Sequence, residues 1–281
     1  MPSQPHTTAP EAMNVVIIGA AGRMGLSLVR AASEFPELRI SGAIGSPGSG
    51  VLGQDAGELA GIGRLEIALT DDLDTALARA DVVIDFSHPQ ATRPNLEACL
   101  AARKPLLIGT TGLAAELTSA FDAAATQIPL LVAPNTSIGI TLLIELTRMA
   151  AKSLPPDFDI EISEAHHRMK KDAPSGTALA LAKAAAQGRG LPETQIIKAA
   201  TANRTGERRK SDIGFAVVRG GDIVGEHTVL FAGSGEQVTL GHRATDRAVF
   251  ARGALQAALW LAHQKPGRYF MRDFIGLKTE T

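Results

Sequence analysis

The chain has 281 residues, of which 45% are hydrophobic and 20% are charged, and its formal net charge is −1. The length allows two domains of the usual size of about 100 to 200 residues, and the composition excludes global disorder. The balanced charge gives no general attraction to nucleic acid or acidic membranes, and the single cysteine, Cys99, excludes an internal disulfide and a zinc ribbon.

The first twelve residues are polar and contain prolines, so we expect residues 1–12 to form a loose tail and not a secretory signal. No apolar run approaches the roughly 20 residues that span a bilayer. The lone Cys99 fits a reducing compartment. These features predict a cytoplasmic protein that binds neither membrane nor nucleic acid.

Strands and helices alternate over the first half of the chain. An apolar strand at residues 15–18 is followed by a glycine-rich turn and an amphipathic helix. The next predicted elements are a strand at 38–44, a loop at 45–57, a helix at 74–80, a strand at 81–86, a helix at 94–104, a strand at 105–108, a helix at 113–126 and a strand at 128–133. This alternation predicts an α/β fold with a Rossmann-type, doubly wound parallel sheet.

The pattern changes after Ser137, where glycine turns and strands replace the strand–helix alternation. The predicted elements are a helix at 141–152 and strands at 157–163, 213–219, 223–231 and 236–241, with hairpin turns at 220–222 and 233–235. They predict a second α+β domain with an open, mainly antiparallel sheet. A last helix at 246–263 is apolar on more than one face, so we expect it to pack against the first domain. The predicted domains are therefore 13–137 with 247–281, and 138–246.

Gly19, Gly22 and Gly25 stand between the first strand and the first helix. A helix that begins there presents backbone N–H groups and the positive end of its dipole to a pyrophosphate, and small residues let the phosphates approach. The Gly-x-x-Gly-x-x-Gly spacing therefore predicts a dinucleotide site. The alternative is a tight strand-to-helix turn that binds no ligand.

The end of the second strand bears on the choice between NAD and NADP. In NAD-binding folds an acidic residue about 20 positions after the loop accepts hydrogen bonds from the ribose hydroxyls. Gly45 and Ser46 stand there instead, and Arg23 at the start of the helix can pair with a 2′-phosphate. We therefore predict NADPH or NADH as the cofactor, with NADPH preferred.

A basic segment follows the strand at 157–163. Its basic or potentially basic side chains are His166, His167, Arg168, Lys170 and Lys171. Imidazole exchanges protons near neutral pH and ammonium groups attract carboxylates, so this segment can bind a diacid and protonate it. Gly176 and Thr177 add backbone donors at the start of the next helix. The alternative is a solvated basic loop in which Ser175 or Thr177 only caps that helix.

The two adjacent histidines are expected to have different roles, because consecutive side chains point apart. One of His166 and His167 would meet the reacting atom and the other a substrate oxygen. They lack the i, i+4 spacing of helical zinc ligands, so we predict no metal site.

Residues 164–177 carry the run Glu-Ala-His-His-Arg and, after Met169, the run Lys-Lys-Asp-Ala-Pro-Ser-Gly-Thr. These runs resemble the signature of the 4-hydroxy-tetrahydrodipicolinate reductase family, also called dihydrodipicolinate reductases. Residues 19–25 are similar to that family's cofactor loop, 109–112 to its nicotinamide-side turn, 133–137 to its interdomain segment and 221–228 to its second-domain hairpin. The resemblance covers nearly everything after the tail.

The resemblance implies an NAD(P)H-dependent reductase of diaminopimelate and lysine biosynthesis. Its substrate would be 4-hydroxy-tetrahydrodipicolinate, a cyclic imine dicarboxylate, and its product tetrahydrodipicolinate. It implies that His166 donates the proton, that Lys170 assists, and that the substrate carboxylates are held by His167, Gly176 and Thr177. The implied cofactor-binding residues are Gly19, Ala20, Ala21, Gly22, Arg23, Met24, Gly109, Thr110, Thr111, Ala133, Pro134, Asn135 and Thr136. The first domain would thus bind the dinucleotide and the second the substrate, with a homotetramer built through the second-domain sheets.

Two other classes of protein remain as alternatives. A dehydrogenase for an aldehyde or amino acid of the same pathway would share the cofactor fold but should need a different catalytic loop. A sensing or scaffold protein without turnover should have lost the proton donor, whereas His166 and Lys170 are both present. For an enzyme we expect a cleft between the domains that closes over the substrate and excludes water.

Residues outside these motifs are expected to have structural roles. Asp85, at a strand end, is expected to cap the next turn. Cys99 is expected to be a small buried residue. The basic run of Arg204, Arg208, Arg209 and Lys210 has no interleaved aromatic residues, so it predicts a solvated loop and not a nucleic-acid surface.

Overall fold

The computed structural model describes residues 12–192, 196 and 207–277. They separate into two units, the first ending at Thr136 and completed by Phe250–Phe274, the second containing Ser137–Val249 and residues 275–277. The predicted tail, except for Ala12, and Arg204 of the basic run lie outside the described residues. None of the helices within these ranges has the length and apolar character needed to cross a bilayer.

Strands and helices alternate along most of the described chain. The strands are β1 (Met13–Ile18), β2 (Leu38–Ile44), β3 (Leu69–Thr70), β4 (Val82–Asp85), β5 (Leu106–Ile108), β6 (Pro129–Val132), β7 (Asp159–His166), β8 (Ile213–Arg219), β9 (Gly225–Ala232), β10 (Gln237–Ala244) and β11 (Gly267–Tyr269). The helices are α1 (Arg23–Ala32), α2 (Ala56–Ala60), α3 (Leu73–Ala78), α4 (Pro89–Ala101), α5 (Leu117–Ala125), α6 (Ile138–Ser153), α7 (Gly176–Arg189), α8 (Ala248–Ala262) and α9 (Met271–Phe274).

The first unit is built on a parallel sheet in the order β11-β6-β5-β4-β1-β2-β3. Every neighbouring pair of strands runs parallel, which confirms the predicted doubly wound sheet. The strand order reverses between β1 and β4, and such sheets bind ligands at the carboxyl ends of the strands at this point. The edge strands β3 and β11 were not predicted, because two or three residues are too few to show a hydrophobic period.

The core of the first unit contains the central strands, whose apolar side chains are almost completely buried. Cys99 on α4 is part of this core, and burial, with a smaller effect of the charge on Asp85, raises its pKa to about 12. Its place in this core confirms the prediction that Cys99 is a small buried residue. From Phe250 onwards α8 belongs to this unit, and Arg252 forms an ion pair with Glu34 at 2.7 Å.

The start of α4 differs from the prediction. The helix was predicted to begin at Pro94, and proline is favoured at the first helical position. Pro89 occupies that position instead, His88 is the N-cap, and Pro94 lies inside the helix. The rule holds, but it applies to the first of the two prolines and not to the second.

The second unit contains a mixed sheet in the order β10-β9-β7-β8. β9 runs antiparallel to β7 and β10, whereas β8 runs parallel to β7. The hairpin predicted at 233–235 joins the neighbours β9 and β10, and Gly235 there has a φ of 85°. The hairpin predicted at 220–222 is wrong, because β7 lies between β8 and β9. A glycine turn fits a hairpin locally, but long-range packing decides which strands pair.

Helices α6 and α7 pack together beside this sheet, and their buried side chains share one core with those of β7 and β9. Their contact is close at Gly188, where an added Cβ would lie 2.4 Å from the carbonyl oxygen of Arg148. The many alanines of α7 serve the same purpose, since small side chains let two helices approach.

Arg208 departs from the solvated loop predicted for the basic run. Its guanidinium donates to Glu161 at 2.9 Å and to Asp159, so it is tied to two carboxylates of β7. At Arg208 the basic run is therefore bound to the sheet of the second unit and is not a solvated loop.

Candidate active site

The glycine turn after β1 lies at the carboxyl edge of the first sheet. Gly19 has a φ of 79°, and an added Cβ would lie 2.5 Å from the carbonyl oxygen of Phe86. An added Cβ on Gly25 would lie 2.2 Å from the carbonyl oxygen of Gly19. Both positions therefore have no room for a side chain, and the loop backbone is held tightly between β4 and α1.

The start of α1 suits an anion. Its N-cap is Gly22, no side chain of the described residues caps it, and its first turn contains no acidic residue. Gly22 and Arg23 are exposed. Backbone donors at an uncapped helix N-terminus, beside glycines, fit the pyrophosphate of a dinucleotide.

The segment after β5 lies at the same edge of the sheet as this loop. Only β4 lies between β5 and β1. Gly109 is covered by the ring of Phe86, and an added Cβ would lie 2.1 Å from its Cζ. Thr110 is buried and its Oγ1 donates to Oδ1 of Asp85 at 3.3 Å. Thr111 is exposed. The predicted residues 109–111 thus share the carboxyl edge with the glycine turn.

The segment after β6 continues along the same edge. The backbone N–H of Ala133 donates to the carbonyl oxygen of Ile108, which joins the ends of β6 and β5. Pro134 is exposed, Asn135 is half-buried, and the buried Thr136 donates through Oγ1 to the carbonyl oxygen of Phe250 at 2.6 Å. Within this segment, Pro134 and Asn135 are the residues that are accessible to solvent.

Asp85 has the capping role predicted for it. Its carboxylate is fully buried and accepts hydrogen bonds from the backbone of Ser87 at 2.8 Å and from the side chain of Asn95 at 3.1 Å. It therefore fixes the turn from β4 to α4 and is not available as a ligand group.

The basic segment of the second unit connects β7 to α7. His166 is the last residue of β7 and is almost buried, whereas His167 is half-buried and Arg168 is exposed. Lys170 forms an ion pair with Asp172, with Nζ 3.0 Å from Oδ1. The two histidines thus differ in environment, as expected for neighbouring residues at a strand end.

The start of α7 lies at the end of this segment. Ser175 is its N-cap, as one alternative predicted, and its Oγ accepts from the backbone N–H of Ala178 at 3.2 Å. Gly176 is exposed and Thr177 is half-buried. The first turn of α7, which offers backbone N–H donors, therefore follows Lys170 by a few residues in the chain.

Glu164 occupies the centre of a buried polar cluster. Its side chain is 0% exposed, and its Oε2 lies 2.5 Å from Nδ1 of His166. Both terminal nitrogens of Arg219 donate to the carboxylate at 2.8 Å, and the backbone N–H of Ser175 donates at 3.0 Å. Burial opposes ionisation, but the hydrogen bonds from Arg219, His166 and Ser175 hold the pKa of Glu164 below its usual value.

His166 experiences opposing influences. Burial lowers its pKa, and the positive charges of Lys170 and Arg219 act in the same direction. The hydrogen bond and the charge of Glu164 raise its pKa, but the net pKa lies below the ordinary value. The imidazole is therefore neutral at neutral pH and needs an anion in addition to Glu164 to gain its proton.

His227 on β9 adds a second imidazole to the cluster. Its ring stands edge-on to that of His166 with centroids 5.1 Å apart, and its Nε2 lies 3.1 Å from Oγ of Ser175. Burial, with a smaller contribution from the charge of His166, lowers its pKa to about 4. His227 therefore remains neutral at pH 7.

Sequence reasoning assigned no role to Glu164, Arg219 or His227. A signal for Glu164 existed, because residues two apart on a strand share a face, which places its side chain beside that of His166. No comparable local signal marked Arg219 or His227, which reach the cluster only through the pairing of β8 and β9 with β7.

The chain joins a dinucleotide-type sheet to a second unit that contains acid–base groups. This combination defines a two-domain nicotinamide-dependent oxidoreductase. Family models identify the chain further. A model described as "Dihydrodipicolinate reductase, N-terminus" matches residues 13–136, and one described as "Dihydrodipicolinate reductase, C-terminus" matches residues 139–275. The chain belongs to the dihydrodipicolinate reductase family.

Individual relatives agree. The 4-hydroxy-tetrahydrodipicolinate reductase of Alkalilimnicola ehrlichii is 52% identical over 94% of this chain and 98% of its own, and that of Ruegeria pomeroyi is 49% identical with the same coverage. The solved structure of a dipicolinate-bound dihydrodipicolinate reductase from Paenisporosarcina has a TM-score of 0.74 at 24% identity, and covers 94% of this chain and 99% of that one. These findings confirm the predicted family, fold class and reductase activity in diaminopimelate and lysine biosynthesis.

Proposed function

We propose that this chain reduces 4-hydroxy-tetrahydrodipicolinate to tetrahydrodipicolinate with NADPH or NADH, and that NADPH is preferred. The observation that carries the proposal is the pairing of His166 with the buried Glu164 at the end of β7, beside Lys170 and the start of α7. This arrangement combines a proton-exchanging group with donors for carboxylates, as the reduction of a cyclic imine dicarboxylate needs.

The proposed roles follow from the chemistry of each group. The 4-hydroxyl group of the substrate leaves with a ring proton as water. His166 donates a proton to the carbon that becomes basic during reduction, and Lys170 assists by its charge. The substrate carboxylates are held by His167 and by Gly176 and Thr177 at the start of α7. The dianion raises the pKa of His166 when it binds, so the imidazole becomes protonated in the complex. When bound, the nicotinamide supplies the hydride.

The cofactor is proposed to be held by the carboxyl edge of the first sheet. The residues are Gly19, Ala20, Ala21, Gly22, Arg23, Met24, Gly109, Thr110, Thr111, Ala133, Pro134, Asn135 and Thr136. The uncapped start of α1 would meet the pyrophosphate, which supports this assignment. No metal takes part in the proposed reaction, since hydride transfer needs none.

The proposal extends to a cytoplasmic homotetramer formed through the second unit. Its sheet is open, with β8 and β10 at the edges, and Val217 and Val218 of β8 are 39% and 55% exposed. Open edges with apolar side chains favour association with further copies of the chain. The buried, unpaired Cys99 is compatible with a reducing compartment.

The direct test is cofactor oxidation at about 340 nm, the absorption of reduced nicotinamide itself. Dihydrodipicolinate synthase would make the substrate in the cuvette from pyruvate and aspartate semialdehyde. We expect oxidation of NADPH that depends on both precursors and is faster than that of NADH. Intact cofactor binding without oxidation of either cofactor would instead support the sensing-protein alternative.

A second prediction concerns the cofactor preference. Arg23→Ala should raise the KM for NADPH about 10-fold more than the KM for NADH, because only NADPH offers a 2′-phosphate for a charge-assisted hydrogen bond. Arg79→Ala is the matched control, since Arg79 is also exposed and precedes β4 at the opposite edge of the sheet. Equal changes for the two cofactors in Arg23→Ala would show that Arg23 does not select between them.

A further inference from the structure

The proposed proton donor is one of several partners of a single buried carboxylate. Glu164 accepts from Nδ1 of His166 through Oε2, and from the backbone of Ser175 through Oε1. Arg219 donates to both oxygens, so the carboxylate cannot rotate without breaking hydrogen bonds. The geometry of His166 is thus determined from its Nδ1 side.

Arg219 also fixes the segment that carries Lys170. Its Nη2 donates to the carbonyl oxygen of Asp172 at 2.7 Å, and its Nη1 to that of Val218 at 2.7 Å. One guanidinium therefore joins β8, the carboxylate of Glu164 and the segment before α7. The same network places the histidine and the lysine relative to each other.

The opposite ring nitrogen of His166 faces a residue without a side chain. Its Nε2 lies next to Gly225, where an added Cβ would come within 3.2 Å of it. Because Glu164 is ionised and can only accept hydrogen bonds, Nδ1 of His166 must carry a proton to form the 2.5 Å contact. In the neutral ring the unprotonated nitrogen is then Nε2.

We propose that Glu164 is a positioning residue for the proton donor, and that Arg219 holds Glu164 in place. The inference rests on the proposed function, because it gives His166 a proton to deliver. In the substrate complex, once the 4-hydroxyl group has left with a ring proton as water and the ring has accepted a hydride, the N–H bond at Nε2 breaks, its electron pair stays on Nε2, and the proton forms a C–H bond on the reduced ring. His166 is left neutral, with its remaining proton on Nδ1 facing Glu164, and solvent restores the other proton.

The charges around His166 determine how its protonation should respond. Glu164 on β7 favours the imidazolium, whereas Arg219 on β8 and Lys170 in the following segment oppose it. His227 faces it from β9 as a neutral ring, and Asp172 faces Lys170. Removing the carboxylate of Glu164 therefore leaves two cations next to His166, and protonation becomes less favourable.

The test is Glu164→Gln, measured by the pH profile of kcat and by the ¹⁵N NMR shifts of His166. A glutamine amide can either donate or accept at Nδ1, so it no longer specifies the tautomer. We expect kcat to fall about 10- to 100-fold, its basic limb to move to lower pH and the neutral His166 to show mixed tautomers, with cofactor affinity unchanged.

Glu161→Gln is the matched control. Glu161 lies on the same strand and also pairs with an arginine, Arg208, at 2.9 Å, but it projects from the opposite face. This variant should keep the kcat, the pH profile and the His166 shifts of the parent. The His166 signal is assigned by its loss in a His166→Gln sample.

The possible outcomes separate the inference from the proposed function. An unchanged pH limb and an unchanged Nδ1–H tautomer in Glu164→Gln would overturn the positioning role. If that variant does not fold, the ¹⁵N shifts of His166 in the parent enzyme test the proposal instead. A neutral His166 that is protonated on Nε2 in the parent would contradict it. A parent that shows the expected tautomer but does not oxidise cofactor would disprove the proposed function and leave the Glu164–His166 pairing intact.

Discussion

Replacement of His166 by glutamine is expected to lower kcat by about 10²- to 10⁴-fold, the usual contribution of a positioned general acid. Glutamine is similar in length and can hydrogen-bond, but it carries no proton that it can release near neutral pH. The affinity for NADPH should stay at the parent value, because His166 belongs to the second unit and the cofactor loop to the first. The measurement is steady-state oxidation of NADPH, with cofactor affinity obtained by fluorescence titration.

The pH dependence gives this prediction a second readout. A proton donor acts when it is protonated, so kcat/KM of the parent should fall as the pH rises through the pKa of His166. Burial, Lys170 and Arg219 together outweigh Glu164 and hold that pKa below the ordinary value for histidine, so the fall should begin at correspondingly low pH. The variant should lack this limb.

His263→Gln is the control for the change of residue type. His263 is exposed and follows α8 in the first unit, so its loss should affect neither kcat nor the pH profile. A His166→Gln enzyme that kept kcat within a few-fold of the parent would show that another group donates the proton.

The parts of the molecule that sequence analysis predicted well are those that local physics determines. β2 and β8 have the predicted bounds, because their apolar residues are bounded by glycine and polar residues. The turn after β1 needs glycines because backbone atoms approach it closely, and this requirement is visible in the sequence itself. Such features depend on a few neighbouring residues.

The parts that escaped prediction depend on residues far apart in the chain. Arg219 follows Glu164 by 55 positions, and nothing in the spacing indicates that their side chains meet. The glycine turn at 220–222 looked like a hairpin for the same reason, since the parallel pairing of β7 with β8 is not encoded near the turn. The motif around His166 therefore predicted the proposed proton donor but not the groups that contact it.

Gly25→Ala is expected to weaken NADPH binding by more than about 100-fold. The added Cβ would lie 2.2 Å from the carbonyl oxygen of Gly19 and 2.5 Å from Cα of Ala20, and both are backbone atoms that cannot rotate away. The glycine turn at residues 19–25 must therefore shift away from the start of α1. Each charge-assisted hydrogen bond lost to a phosphate costs about 1.5 to 3 kcal/mol, and two lost bonds account for the expected change.

Stability should change less than binding. Alanine is the better helix former by about 1 kcal/mol, whereas overpacking costs about 1 to 3 kcal/mol, so the net effect on Tm should be a moderate decrease. Gly50→Ala is the control, since Gly50 is exposed and an added Cβ there would meet nothing within 4 Å. It should leave both the Kd for NADPH and the Tm unchanged. A parent-like Kd in Gly25→Ala would mean that the pyrophosphate does not lie on this turn, because no phosphate bound there could tolerate the displaced backbone.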